Sequence, residues 1–313
     1  IQPVRCENPA GCLAGGTLPA AQRNVVPQGT DYIPAGLTRP NPFVLNTLNW
    51  FYLGTSSYHS LNVSLTKRSR GGLMFKTNYT WAKVLDINSG ILSGAHQNEA
   101  PNVWNRWNLK LDKGIASYSL LHQFNTSFSY QLPFGQGKAF GSGASGWVEK
   151  LIVGWQWNGI VNAQGGFPIN PLVGSNRTGN GDTRNPDRPN RNPDFQGKVI
   201  RGSDGFKKTG LYFDPNAFSL PPAGTFGYLG RGAFRGPGLV NVDTSFFKTI
   251  PLNERWNLQF RAEAFNILNH ANFNNPTPIV FAGSDISPSA GVITDTITPG
   301  FGRQIQFALR LEF

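Results

Sequence analysis

Two cysteines are the residues of this chain whose type and spacing most directly suggest chemistry. Cys6 and Cys12 lie in the segment CENPAGC, where close spacing around a proline and a glycine favours a small disulfide loop made in an oxidising compartment. A two-cysteine metal site is the alternative, but it lacks partners, because ligands normally come in groups and the histidines are scattered singly at His59, His96, His122 and His270. We therefore expect a disulfide and no cofactor.

A loop rich in Asn, Asp and Gly at residues 174–194 is the second candidate for chemistry. Its oxygens could bind Ca²⁺, with Asn180, Asp182, Asn185 and Asp187 as candidate ligands. The spacing matches neither an EF-hand nor a nonapeptide repeat. Because these residue types also dominate turns, a flexible loop without a metal is the favoured interpretation.

Charged residues on three predicted strands near the carboxy terminus form the third candidate set: Asp243, Arg261, Glu263, Arg310 and Glu312. They share the polar faces of those strands and could form a ladder of ion pairs. Contact with a ligand or a plug domain is the functional interpretation. Mutual pairing is the favoured one, because unpaired buried charges are costly. No acid–base pair or nucleophile arrangement is recognisable, so we do not expect an enzyme.

The elements that carry these residues are strands with a period of two. The last eleven residues, RQIQFALRLEF, alternate apolar and polar side chains and so predict a two-faced strand that ends on Phe313. Six further segments alternate in the same way. The seven predicted strands cover about 57–69, 73–83, 118–132, 147–164, 239–250, 255–268 and 303–313.

The connections between these strands alternate between short and long. Short turns and long loops on opposite sides are typical of outer-membrane barrels, with short turns in the periplasm and long loops outside the cell. The chain has no run of about 18 apolar residues, so strands are the remaining way to span a bilayer. An all-β antiparallel transmembrane barrel segment of about seven or eight up-and-down strands is therefore predicted. A soluble β-sandwich is the alternative.

The strand count bears on how much of a barrel is present. Seven strands is an odd number, whereas single-chain bacterial barrels have an even number from 8 upward. We therefore expect the chain to be part of a larger barrel. A strand missed within 98–116 or 195–235 is the alternative.

Aromatic side chains concentrate toward the predicted strand ends. In a membrane they would form interfacial belts, whereas in a soluble lectin-like fold exposed tryptophans would stack on sugars. The parity of the tryptophans on the apolar faces favours belts. The belt residues are Tyr79, Trp81, Tyr130, Trp155, Trp157, Trp256 and Phe313.

Composition limits the class of partner. The net charge of +11 could suggest nucleic acid, but the basic residues are scattered and no recognised nucleic-acid-binding motif is present. Charged residues make up only 14% of the chain, whereas about a quarter is usual in soluble domains. We expect no nucleic-acid partner.

Several segments together resemble a known family. The segments SSYHSLNVSLTKRSRGGLMFKTNYTWAK, SYQLPFGQGK and GWQWNGIVNAQGGFPINP, with the stretch from FDPNAFSLPPAGTFGYLGRGAFRGPG to the closing FGRQIQFALRLEF, resemble the carboxy-terminal barrel of TonB-dependent outer-membrane receptors of the Oar-like subgroup. The resemblance covers residues 55–313. It implies a barrel of about 22 strands, a plug domain and a TonB box, neither of which is recognisable in this sequence.

The resemblance also implies a function. It implies a barrel portion in the bacterial outer membrane that contacts lipid, works with TonB and the plug of the parent protein, and binds and imports an unidentified extracellular solute. Residues 1–54 would be an irregular extracellular segment with the cysteine pair, and residues 55–313 the strands, with long loops at 86–116, 166–238 and 269–302. The alternative is a soluble or surface-exposed all-β module that binds carbohydrate.

Overall fold

The structure of the chain is a computed structural model. It describes residues 1–38, 41, 43, 52–68, 71–89, 104–182, 187–297 and 302–313.

One antiparallel sheet with seven long strands in the described residues forms the frame of the molecule. Each strand pairs with the next along the chain, so the order in the sheet follows the order in the sequence. The strands are β1 (Ser56–Arg68), β2 (Leu73–Asp86), β3 (His122–Gln131), β4 (Trp155–Gln164), β5 (Leu239–Pro251), β6 (Asn257–Phe265) and β7 (Gln304–Glu312). The predicted up-and-down order of seven strands is confirmed.

The sheet is open. Among the described residues, no strand pairs with the outer edge of β1 or with the outer edge of β7. The two-residue strand Gly114–Ile115 adds to β2 alone, at Leu85 and Asp86. The described parts of the connections 69–72, 132–154 and 252–256 lie at one end of the sheet, which we call the short-turn end. The described parts of the long connections 87–121, 165–238 and 266–303 lie at the other, the long-loop end.

The pairing register keeps the two chemical faces separate across all seven strands. Phe124, Ala163 and Val240 are successive partners on one face, whereas Asn125, Asn162 and Asn241 are successive partners on the other. A slip of one residue in any pair would exchange the two faces of that strand. We call the two surfaces of the sheet the apolar face and the polar face.

Three strand boundaries differ from the sequence prediction. β3 begins at His122, not at about 118, because Ala116–Ser119 form a turn closed by Ser119 N–H donating to Ala116 O. β6 ends at Phe265, not at about 268, because Asn266 takes a left-handed backbone with φ of 48°. β4 begins at Trp155, and the preceding segment Gly146–Ile152 is a helix, α1.

The helix was missed because two periodicities overlap in one segment. Leu151, Val153 and Trp155 read as an alternating strand, but Trp147 and Leu151 are also four residues apart, which suits one face of a helix. The structure has the helical arrangement over 146–152. The prediction of a strand from residue 147 is therefore wrong.

The long connections and the amino-terminal segment fold together into one body at the long-loop end. We call this body the cap: residues 1–38, 104–121, 165–182, 187–238 and 266–297. Its short paired strands are Val4–Arg5 with Asp31–Tyr32, Cys12–Ala14 with Asn24–Val26, Pro168–Ile169 with Phe234–Arg235, Asn190–Arg191 with Phe218–Ser219, and Phe281–Ala282 with Asp285–Ile286. Its helical segments are Ala20–Gln22, Leu109–Asp112, Pro215–Ala217 and the α-helix α2, Gly202–Thr209.

The buried side chains are concentrated in the cap, although its segments were expected to be irregular. One cluster is built on Phe213, Phe218, Val280 and Phe281, and smaller ones surround Ile169 and the cysteine pair. Close backbone contacts hold the segments together: a side-chain Cβ at Gly16 would lie 2.1 Å from Gly179 O. Only glycine fits such an approach.

No helix in the described part of the chain is long and apolar enough to cross a membrane.

Candidate functional site

Cys6 and Cys12 are joined in a disulfide. The bridge lies inside the cap, where Cys6 is buried with Ala14 and Val26. The Cys6 N–H donates to Thr30 O over 2.9 Å. This hydrogen bond connects the disulfide loop to the residue before the strand Asp31–Tyr32. The cysteines therefore stabilise the amino-terminal segment and provide no free thiol.

The calcium candidates do not form an ion site in the described residues. Asp187 is buried, and its carboxylate accepts from Thr178 N at 2.7 Å and from Thr178 Oγ1 at 3.1 Å. Asn180 O𝛿1 accepts from Asp182 N, and Asn185 lies outside the described residues. No group of three His, Cys, Asp or Glu residues in the described part of the chain could hold a metal ion.

The Asp187 carboxyl is instead part of the packing of the cap. Burial raises its pKa to about 6, although the hydrogen bonds from Thr178 lower the pKa in part. Thr178 and Asp187 are among the most deeply buried side chains of the molecule. The expectation of a flexible loop is therefore wrong for these two positions.

The five predicted ladder residues lie on the polar face, but they do not form a cross-strand ladder of ion pairs. The register places Arg310 opposite Gln259, Arg261 opposite Ala308, and Glu263 opposite Gln306. Arg310 and Glu312, two residues apart on β7, form the one ion pair within this set of five, at 3.5 Å. Alternation identified the face, whereas the register, which the sequence does not show, decided the partners.

Amides take the place of charged partners along this part of the polar face. Gln306 Nε2 donates to Glu263 Oε2, and Arg261 Nε donates to Gln259 Oε1, each over 2.5 Å. Asp243 accepts from the side chain of Asn241 and from the backbone N–H of Asn266. Asp243, Arg261 and Glu263 are thus each held by neutral neighbours.

Much of the rest of the polar face carries hydroxyl and amide groups, with Ile160 and Met74 as exposed apolar exceptions. Ser64 Oγ donates to Asn78 Oδ1 at 2.7 Å between β1 and β2. Gln156 Nε2 donates to Ser129 Oγ at 2.9 Å between β4 and β3. Such a wall offers hydrogen bonds to water or to a polar solute without strong net charge.

The predicted belt residues lie on the apolar face in two groups at opposite ends of the strands. Trp81 is paired with His122 near the long-loop end, and Tyr79 donates or accepts a 2.8 Å hydrogen bond with His122 Nδ1. The second group lies toward the short-turn end. It comprises Tyr130, Trp155, Trp157, Trp256 and Phe313.

Ring contacts join the second group across the strands. Trp157 stacks on Phe246 with centroids 6.0 Å apart and donates through Nε1 to Thr244 Oγ1 at 2.8 Å. The ring centroids of Trp256 and Phe313 lie 5.3 Å apart. About eight residues of β3 separate the two groups, which is about 27 Å along the strand and comparable to an apolar band about 25 Å tall.

A buried ion pair within the cap was missed by the sequence analysis. Arg188 Nη2 lies 2.7 Å from Asp112 Oδ1, and both side chains are almost fully buried. Asp112 also accepts from the backbone N–H groups of Trp104 and Asn105, while Arg188 donates to Leu229 O. The guanidinium lies 4.3 Å from the Trp104 ring centroid. This network joins three segments of the cap, around residues 104–112, 188 and 229, that come from two long connections.

A second buried pair connects the cap to the sheet. Asp86, at the end of β2, forms an ion pair with Arg231 of the cap, and Arg231 Nη2 also donates to Asp86 O at 2.8 Å. Burial lowers the pKa of Arg231 to about 10, so it remains charged at neutral pH. No periodicity in the irregular segments could have identified either arginine, because their partners come from distant parts of the chain.

Comparison with known proteins agrees with this architecture. The family model for the outer membrane beta barrel domain matches residues 14–306, nearly the whole chain. No curated protein and no solved structure matches the sequence. The match accounts for a sheet with one face apolar and one polar, because such strands have lipid on one side and a polar lumen on the other.

Proposed function

The chain belongs to the outer membrane beta barrel domain family, and from that premise we propose that it is the barrel portion of a TonB-dependent receptor that binds and imports an extracellular solute. Family membership places it in the bacterial outer membrane. The apolar face is accordingly the lipid-facing face. The import activity, the solute, TonB and the plug of a parent protein are the parts of the proposal that go beyond family membership.

The packed cap is the observation that supports a receptor best. A general pore needs only a polar lumen, and long loops without a core would suffice at its mouth. Here three segments of the cap bury Phe213, Val280 and the Asp112–Arg188 pair at one end of the sheet. Ordered segments keep their side chains in fixed positions, which lowers the entropy cost of binding a solute.

Aromatic side chains on the cap are candidates for contact with that solute. Trp107 and Tyr228 are exposed, but each ring is held by a hydrogen bond to the backbone, to Ile1 O at 2.8 Å and to Arg191 O at 2.9 Å. A rigid exposed ring loses little conformational entropy when it packs against a ligand. The polar face beneath the cap offers neutral amides and hydroxyls for passage.

Coupling to TonB is supported by the sequence resemblance. The segments quoted above resemble the Oar-like barrels in the same order along the chain, and the resemblance extends to the closing strand. It implies that import is driven by energy relayed through TonB to a plug. Opening of the pathway would then be gated, and the barrel would perform no bond chemistry.

Uptake in living cells tests the proposal. We expect a strain without the gene for this chain and a strain without TonB to lose uptake of the same solutes from a labelled panel of glycans, peptides and metal chelates. A small solute that enters through general porins is the control and should enter both strains normally. Uptake that depends on this chain but persists without TonB would contradict energy coupling and would indicate a passive pore.

A binding measurement separates recognition from transport. The solute identified by uptake should bind the purified full chain in detergent, and Trp107→Ala or Tyr228→Ala should weaken that binding. Tyr118→Ala, at another exposed aromatic residue of the cap, serves as a comparison. Unchanged affinity in all three variants would exclude these three rings as the binding surface.

A further inference from the structure

The connection between β3 and β4 contains a surface whose chemistry differs from that of an ordinary turn. Its helix α1 presents Trp147 and Leu151 with exposed fractions of 76% and 60%, and Phe140 in the preceding turn is 60% exposed. An apolar cleft of about 300 Å³ lies beside the helix, lined by Phe134, Leu151, Ile152 and Trp155. Large apolar side chains grouped in this way mark a contact surface.

The position of the helix follows from a buried lysine on the lipid-facing side of the sheet. Lys248 of β5 is paired with Trp155 and with Phe260, both on the apolar face, yet the residue is only 5% exposed. An ammonium group facing lipid needs a polar partner. Among its polar partners are two carbonyl groups at the end of α1.

These contacts fix the end of the helix against the outer wall of the sheet. Lys248 Nζ donates to Leu151 O at 2.9 Å and to Val153 O at 2.6 Å. Trp155 Nε1 donates to Leu151 O at 2.9 Å, and Lys248 Nζ lies 5.2 Å from the centre of the Trp155 ring. The carbonyl end of a helix attracts a cation. The helix therefore lies over the apolar face and outside the lumen.

We propose that α1 and the adjoining turn, residues 134–153, form a membrane anchor that inserts into the phospholipid leaflet at the short-turn end. Trp147, Leu151 and Phe140 enter the leaflet, and a lipid acyl chain occupies the cleft beside Trp155. The patch is continuous with the lipid-facing surface, because Trp155 belongs to both. Lys138 and Lys150 of the same connection supply positive charge for the phosphate groups of the lipid head groups, in the manner of interfacial helices.

The size of the connection is consistent with this role. Where a short turn would suffice between β3 and β4, the chain supplies an additional helix with exposed apolar residues. The turn 252–256 joins β5 to β6 at the same end without a helix. The proposal rests on the lipid-facing assignment of the apolar face and is independent of TonB coupling or import.

Site-specific fluorescence in lipid tests the anchor. The native cysteines are paired, so Trp147→Cys in the full chain gives a single thiol for an environment-sensitive fluorophore. In nanodiscs of phosphatidylethanolamine and phosphatidylglycerol, lipids brominated on the acyl chains should quench most of its fluorescence, and iodide in the water should quench little. Trp107→Cys, on the cap, is the matched control and should show the reverse.

Three outcomes decide the proposal. Strong quenching by brominated lipid at position 147 alone supports the anchor. Free access of iodide to position 147 overturns it. Shielding from both quenchers also overturns it, and a dimer in mass photometry of the same nanodiscs would then identify a second copy as the occupant. A label at Val148→Cys, on the same exposed helix, repeats the measurement in case loss of Trp147 itself displaces the helix.

Discussion

The sheet and the cap bury their side chains in opposite ways, although one chain forms both. The most deeply buried large side chains, Phe213, Ile33 and Ile169 among them, belong to the cap. The strands leave Phe307 and Leu309 71% exposed. The difference reflects two surroundings. The cap is in water and buries its apolar side chains, whereas the strands face lipid and expose their apolar side chains to it.

The same difference governs the polar groups. In the cap, Asp112 and Arg188 are buried and satisfied by each other and by the backbone. On the sheet, Arg310 and Glu312 remain accessible and pair loosely. Buried pairs are sensitive to the loss of one partner, whereas exposed pairs contribute little. Four predictions test how far this contrast holds, in order of decreasing effect.

Removing one partner of the buried cap pair should have the largest effect. In Arg188→Met, the Asp112 carboxylate loses its cation while buried, which should lower the stability of the cap by about 3–5 kcal/mol. Hydrogen exchange in nanodiscs should report faster exchange at 104–112 and 187–190. The strands should keep their protection, and equal losses in β3 and β4 would contradict the separation of the two regions.

An arginine on the lipid-facing side of the sheet should have the next largest effect. Leu309→Arg places a charge on the apolar face, at a cost of about 2–4 kcal/mol near the centre of a bilayer. The same change on a water-exposed surface would stay within about 0.5 kcal/mol. Denaturant titration of the folded form on gels measures the difference. Gln306→Arg, on the polar face of the same strand, is the control and should lower the stability of the folded form only slightly.

The stability of the cap should depend on pH through Asp187. The folded pKa of about 6 lies above the ordinary value of 3.8, so the folded cap binds this proton more tightly than the unfolded chain does. Its contribution is fully present below about pH 4 and is lost as the pH rises through about 6, with a limit near 3 kcal/mol. In Asp187→Asn, this part of the pH dependence should vanish.

Hydrogen exchange around Thr178, corrected for the intrinsic effect of pH, measures this change. Thr178 donates to Asp187 and should therefore respond most strongly. Asp182→Asn, at a carboxyl of the same loop that is less buried, is the control. An identical pH profile in native protein and Asp187→Asn would contradict the raised pKa.

Loss of the exposed ion pair should have the smallest effect. Arg310→Ala removes the 3.5 Å contact with Glu312, and pairs of this kind contribute at most about 1 kcal/mol. The same gel titration should detect little change. A loss as large as that of Leu309→Arg would indicate that the polar face is far drier than its hydroxyl and amide groups suggest.

The strands were predictable because each of them separates two environments. Leu61, Val63 and Leu65 alternate with small polar residues, and the register then aligns such sets across the sheet. The same reasoning failed at residues 146–152, where apolar residues suited both a strand and a helix. Lys248, about a hundred residues away, holds the end of that helix, and no local pattern could indicate it.

The candidate site residues also divide into features that local alternation predicts and features that depend on distant contacts. Alternation correctly placed Arg261 and Glu263 on one face, but their amide partners depend on register. For Asp187, composition suggested a turn or an ion ligand, and burial made it a structural carboxyl. Arg188 and Arg231 were not predicted as site residues, because the local sequence around a charge in an irregular segment does not indicate which distant residue it will pair with.

The sequence by itself determined which face of each long strand is apolar and which is polar, and the order of these strands, because both depend on local alternation and on connection length. Only the tertiary structure decided that the long connections enclose a core, which charges are buried, and that a helix lies against the apolar face at Lys248. Those features depend on contacts between residues distant in the chain. Their energies arise only when folding removes the groups from water.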